Sequence, residues 1–215
     1  APDNPWLARA VVNRIWAWLF GRGLVHEADD IRPDNPPVHP EVLAFLESEL
    51  VKADWDLRHI YRLILNSRTY QQSSIPRRPD DRAEELFACY PVRRLDAEVL
   101  IDILCQISGE TVEYESAIPE PFTYIPKERP TVALADGSIT SSFLEMFGRP
   151  SRDTGLLSER NNEPTEAQRL FLLNSTDIQR KVGRSPKMQA LLQLARQDAQ
   201  GFLVEIYLTI LSRFP

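Results

Sequence analysis

The sequence predicts a mainly α-helical protein: a single compact multi-helix domain over residues 1–215, with a proline-rich irregular insertion near Glu110 to Gly137 that could hold short strands. Three observations carry this prediction. Apolar residues recur at three- and four-residue spacing in block after block. Prolines and capping Asn, Asp, Ser or Thr stand at the heads of those blocks. Further prolines gather in the connections, where they interrupt no helical pattern. The chain divides into a helical N-terminal half (1–72), an exposed connection (73–92), a helix followed by the irregular insertion (93–137) and a set of C-terminal helices (138–215).

The first helix opens at Asn4-Pro5, a cap followed by proline at the first helical position, and runs to about Phe20, where Gly21 and Gly23 stop it. Trp6, Ala10, Asn13 and Ala17 lie on one side and Val11, Ile15, Trp18 and Leu19 on another, the pattern of a central helix. The loop Val25 to Pro40 carries Asp29, Asp30 and four prolines. Pro40 starts a second helix reaching about Lys52, with Val42, Leu43, Phe45, Leu46 and Leu50 inward. Asp54 or Asp56 caps a third, in which Leu57, Ile60, Tyr61, Ile64 and Leu65 recur.

Ser73 to Asp81 is rich in proline, serine and charge and reads as exposed. A helix from Asp96 to Ser108 follows, ended by Gly109, with Ala97, Leu100, Ile101 and Leu104 on one face. Pro119, Pro121, Pro126 and Pro130 forbid a long helix in the insertion, leaving room for a short strand such as Thr131 to Leu134. Ser138 to Phe147 reads as a short helix, Thr165 to Asn174 as another with Ser175 to Val182 as its continuation, and Pro186 to Arg196 and Phe202 to Ser212 as the last two.

With 43% apolar and 26% charged residues, 215 residues are enough for one sizeable core. The net charge of −6 argues against nucleic acid as a partner, since phosphate binding calls for a basic face. No apolar run reaches the roughly 18 residues of a membrane span. Trp6 to Phe20 comes nearest, and Arg9, Asn13 and Arg14 interrupt it. Cys105 sits in the apolar run Val99 to Ile107 and reads as a small buried hydrophobe, so a disulfide with Cys89 is not expected. The chain begins APDNPW, with no signal-type n-region or h-region, and reads as a domain of a longer protein.

The segment Met146 to Ser175 holds the densest set of opposed charges. Arg149, Arg152, Asp153, Glu159, Arg160, Asn161 and Glu163 are the leading candidates for a ligand site, with Asn13, Arg14 and Asp30 as further members if the fold brings them near. A guanidinium binds carboxylate or phosphate bidentately, which would suit an acidic ligand. The simpler reading is a clamp in which Arg149, Arg152 and Arg160 pair with Asp153, Glu159 and Glu163 to tie a loop onto the core. Thr165 stands where a helix cap belongs.

Other chemistries are poorly signalled. Asp29, Asp30 and Asn35, with His26 or His39 nearby, match no calcium loop, and the three histidines form no zinc pattern, so no metal site is expected. No nucleophile elbow, phosphate loop or dinucleotide fingerprint occurs, and Ser138, Ser141 and Ser142 read as caps. Glu159 with Glu163, or Asp29 with Asp30, could serve glycoside chemistry only at a separation that chain spacing does not set. Tyr61, Tyr70, Tyr114, Phe122 and Tyr124 are the aromatics that could meet sugar or peptide, although Tyr61 and Tyr70 read as packing.

Five blocks carry a family resemblance: NPWLARAVVNRIWAWLFGRGLV (Asn4 to Val25), DDIRPDNPPVHPEVL (Asp29 to Leu43), DLRHIYRLILNSRTYQ (Asp56 to Gln71), RRLDAEVLIDIL (Arg93 to Leu104) and FGRPSRDTGLLSERNNEPTEAQRLFLLNSTDIQRK (Phe147 to Lys181). In this order they resemble the planctomycete-specific family of unknown function known as domain of unknown function 1553. The resemblance implies a C-terminal module of a large exported protein, periplasmic or at the cell surface, that often follows a cytochrome c module. It brings no catalytic residues. This chain has no CxxCH, so haem c would belong to a separate domain and no cofactor is expected here.

The leading functional expectation is a non-catalytic interaction or scaffold module whose partners are the neighbouring domains of its parent protein, possible ligands being acidic or carbohydrate. One alternative is a hydrolase-type enzyme, acting on polysaccharide through the charged segment 149–163. The other is redox support for an attached cytochrome c module.

Overall fold

The structure, a computed structural model, describes residues 4–77, 80–116, 130–134, 137, 139–150, 154–161 and 163–215. The described residues form helices and connections without a strand, as the fold class predicts. The helices are α1 (Pro5–Phe20), α2 (Pro40–Lys52), α3 (Leu57–Leu65), α4 (Ala97–Ser108), α5 (Ser142–Met146), α6 (Glu166–Asn174), α7 (Thr176–Arg184), α8 (Pro186–Gln197) and α9 (Ala199–Leu211). None is long and apolar enough to cross a membrane among the described residues. The chain divides into two compact units, Ala1–Arg93 with Leu156–Ser158, and Arg94–Gly155 with Glu159–Pro215.

In the first unit the Asn4 side chain accepts the Trp6 N–H, Pro5 supplies the first helical φ, and Gly21 in the left-handed region returns its N–H to the Ala17 carbonyl. Between these caps α1 turns Ala8, Val12, Ile15, Trp16 and Phe20 onto Leu43, Leu46 and Leu50 of α2 and Ile60 and Ile64 of α3. Each such Val, Leu, Ile or Phe side chain stabilises the fold by about 1.5–3 kcal/mol when fully buried. Asp56, not Asp54, caps α3 by accepting the Arg58 N–H. Trp16 stacks on Phe20 at 4.4 Å between centroids, and Phe87 meets the two rings edge-on at 5.3 and 5.4 Å. Two inward expectations fail: Val42 and Phe45 of α2 are exposed, because the three leucines alone fill the stripe facing α1.

The second unit packs Ala97 and Ile101 of α4 against Leu144 and Phe147, with Leu100, Leu104, Phe143 and Phe171 around them. Phe143 stacks on Phe147 at 4.5 Å, and Phe171 meets both rings edge-on. The segment with room for a strand, Thr131 to Leu134, instead holds a 3₁₀ turn, Thr131–Ala133. The cause is Asp102 of α4, whose two carboxylate oxygens accept the consecutive N–H groups of Thr131 at 2.7 Å and Val132 at 3.0 Å. Consecutive N–H groups point the same way in a turn and opposite ways in a strand. Nor does α7 continue α6. Ser175 is extended between them, and its hydroxyl caps the Ile178 N–H. The helix expected from Ser138 begins only at Ser142, capped by Ser141, and Ser138 lies outside the described residues. Finally, none of the residues of α9 is buried, although the helix holds one charged residue.

Candidate functional site

Asp96 precedes α4 and places Glu98 in its first turn, where the helix dipole favours a carboxylate. Ala97 and Ile101 bury this end of the helix, and Glu98 goes inward with them, 7% exposed. An isolated carboxylate there would be very unfavourable. Arg160 answers it with a fork, Nη1 donating to Oε2 at 2.9 Å and Nη2 to Oε1 at 2.8 Å. Arg149, itself 4% exposed, brings Nε to 3.5 Å from Oε1, which makes an ion pair longer than a hydrogen bond. Burial pushes the Glu98 carboxyl up, but the Arg160 hydrogen bonds, a backbone hydrogen bond and the two guanidinium charges together hold it below the ordinary glutamate value. The carboxylate is therefore anionic near neutrality.

Arg94 braces the same segment from another side. Its Nη2 donates to the Phe147 carbonyl at 2.7 Å and the Asn161 carbonyl at 3.1 Å, while its guanidinium lies 5.6 Å from the Phe147 ring centroid. The Asn161 N–H returns to the Gly148 carbonyl at 3.0 Å. Gly148 has φ +94°, and a Cβ there would run into the Asn161 carbonyl, so glycine is required both for conformation and for close approach. Downstream, Thr165 and Gln168 form a capping box, and Gln168 reaches back to donate to the Met146 carbonyl at 2.9 Å.

Among the described residues, the fold thus brings Arg149, Arg160 and Asn161 together near Glu98, an acid outside the expected set. Glu159 is occupied by Thr154, whose N–H and hydroxyl donate to it at 3.0 and 2.7 Å. Glu163 is exposed, its N–H donating to the Asn161 side chain at 3.1 Å. Among the described residues Glu98 is an acid that holds these arginines, and sequence reasoning missed it; the available signal was an acid at an inward position of RRLDAEVLIDIL, beside Ala97 and Ile101. Arg152, Asp153, Phe122 and Tyr124 lie outside the described residues.

Asn13, Arg14 and Asp30 belong to the first unit. Asn13 is fully buried and accepts the Val25 N–H at 2.9 Å while donating to the Val25 and Ala28 carbonyls, both at 3.1 Å. Arg14 pairs with Asp29, and Asp30 with Arg32 at 2.7 Å. Asn35 donates to the carbonyls of His26 and Asp30, the work of a turn. These groups shape the loop after α1, and among the described residues no set of three or more His, Cys, Asp or Glu could hold a metal ion.

A second charge node lies at the far end of α4. Glu110 accepts from Lys181 at 3.0 Å and Arg180 at 2.9 Å, and these contacts, Lys181 foremost, lower its carboxyl against the upward effect of burial. Both cysteines are free, and burial pushes the Cys105 thiol up. The Tyr114 hydroxyl is within 2.9 Å of Thr131 Oγ1.

A helical fold with a buried carboxylate gripped by guanidinium groups defines a mainly α-helical protein with internal ion pairs. The whole chain, residues 1–215, matches the family described as PSD1, protein of unknown function (DUF1553), and it belongs to that family. Neither the curated proteins nor the solved structures give a match to it.

Proposed function

We propose that this domain is a non-catalytic interaction or scaffold module, and that its charged segment is a clamp. The observation that carries this reading is the use of Glu98 by both Arg160 and Arg149. A carboxylate held by the fork of one guanidinium and the charge of a second is poorly disposed to bind an outside anion or to move protons. Glu159, the segment's other candidate acid, is likewise engaged by Thr154. In this reading the domain serves an exported, multidomain bacterial protein, in the periplasm or at the cell surface, and its partners are neighbouring domains such as a cytochrome c module. Export and these partners rest on the family resemblance alone.

The test is to express the 215-residue chain separately and titrate it against the remaining domains of its parent protein, in parallel with a hydrolase screen on polysaccharides. The scaffold reading expects saturable binding and no turnover. Turnover that is lost in Glu159→Ala at an unchanged melting temperature would overturn it in favour of the hydrolase.

A further inference from the structure

We infer that the outer side of α3 is a docking face for an acidic amphipathic helix of another polypeptide. The sequence LRHIYRLIL turns Ile60 and Ile64 into the core and leaves two ridges outside. Leu57, Tyr61 and Leu65 stand one turn apart at i, i+4 and i+8, Tyr61 half-buried and the two leucines exposed, at 45% and 37%. Beside them run Arg58 and Arg62, also one turn apart and exposed, and Arg68 is exposed in the turn that follows the helix. No local need explains these arginines. Like charges at i and i+4 repel, and Arg58 stands in the first turn of α3, where the helix dipole disfavours a cation. Other arginines of this unit are answered by acids: Arg9 by Glu47, Arg14 by Asp29, Arg32 by Asp30 and Arg82 by Glu85. Among the described residues no acid forms an ion pair with Arg58, Arg62 or Arg68.

Charge and ridge spacing together select the occupant. A guanidinium takes a carboxylate through its fork, and two guanidiniums a turn apart match two carboxylates a turn apart on a facing helix. The neighbouring ridge of Leu57, Tyr61 and Leu65 calls for apolar residues beside those acids, which makes the occupant amphipathic. A broad anionic surface, such as a membrane or a nucleic acid, fits less well. Asp54 and Asp56 are exposed immediately ahead of the ridges, and the whole chain carries a net charge of −6, so only a narrow acidic element gains from the arginines without meeting their acidic surroundings. The inference deepens the interaction reading and rests on it, but Glu98, Arg149 and Arg160 take no part.

The probe is a fluorescent peptide of about 20 residues, long enough to be helical, with glutamates one turn apart beside a leucine stripe. Its anisotropy, titrated with the full 215-residue chain, should show saturable binding that salt weakens. Arg58→Gln with Arg62→Gln should raise the dissociation constant by at least about tenfold without lowering the melting temperature, and Leu65→Ser should weaken binding as well. Equal binding of a scrambled peptide of the same composition, binding indifferent to the glutamine substitutions, or a preference for phosphatidylglycerol vesicles would overturn the inference. So would self-association of the chain through Arg58 and Arg62. If the probe does not bind while the chain still binds the remaining domains of its parent protein, this inference falls alone; if neither binds, the interaction reading falls with it.

Discussion

Arg160 holds Glu98 through both terminal nitrogens of its guanidinium, at 2.9 and 2.8 Å, across more than sixty residues of chain. The pair fastens the segment after Phe147 to the first turn of α4. Glu98→Gln leaves Arg149 beside a neutral amide while Arg149 stays buried. Breaking a buried pair from one side costs about 3–5 kcal/mol, so the urea midpoint should fall by a corresponding amount. Arg160→Lys keeps the charge and loses the fork, which should cost about 1 kcal/mol. The expected order is wild type, then Arg160→Lys, then Glu98→Gln.

Acid should weaken the protein through the same carboxylate. The folded-state value of Glu98 lies below the ordinary 4.5, as does that of Glu110 beside Lys181. Between the folded and unfolded values the unfolded chain binds more protons, so stability rises with pH there. The contribution is whole above the ordinary glutamate range and disappears as pH falls through the lowered folded values. Urea midpoints between pH 3 and 7 should therefore show an acid limb, and in Glu98→Gln that limb should be shallower, the variant differing most from wild type at pH 7 and least at pH 3.

Gly148 and Gly155 separate steric from conformational need. Both have positive φ, +94° and +84°, but a Cβ at Gly155 would meet no described residue within 4 Å, whereas one at Gly148 would strike the Asn161 carbonyl. Gly155→Ala should cost only the left-handed penalty, about 1–2 kcal/mol. Gly148→Ala should cost clearly more and also disturb the Arg94 bridge, since Arg94 Nη2 lies 3.0 Å from the added atom. Thermal melts of the two variants, measured side by side, check the difference.

The helices were legible because caps and apolar spacing are local: Asn4-Pro5, Asp56, Gly109 and Thr165 all act within a turn of their own position. The clamp was legible only from one side. Arg149 and Arg160 stand out by charge density, but nothing local to Glu98 distinguishes it from an exposed first-turn acid, since its burial depends on what packs on that face of the helix. The turn at Thr131 was illegible for the same reason, because it depends on Asp102 in a helix distant along the chain. Periodicity also overstates burial. It marks Val42 and Phe45 as inward, and no local signal tells an apolar face with a partner from one without.

Asn13 provides the sharpest test in the first unit. The residue is fully buried in α1 and uses both ends of its amide on the loop after the helix: the oxygen accepts the Val25 N–H, and the nitrogen donates to the Val25 and Ala28 carbonyls. Gly23 passes so close that a Cβ there would lie 2.9 Å from the amide nitrogen. Asn13→Ala removes three hydrogen bonds and strands buried backbone groups, each at about 1–3 kcal/mol, so a loss of at least about 3 kcal/mol is expected. Asn13→Asp keeps the shape and the acceptor but cannot donate, and it buries a charge against two carbonyls. It should be at least as destabilising as alanine near neutral pH and should recover part of that loss in acid, where the protonated carboxyl regains one donor. Amide hydrogen exchange at Val25 should accelerate in the alanine variant.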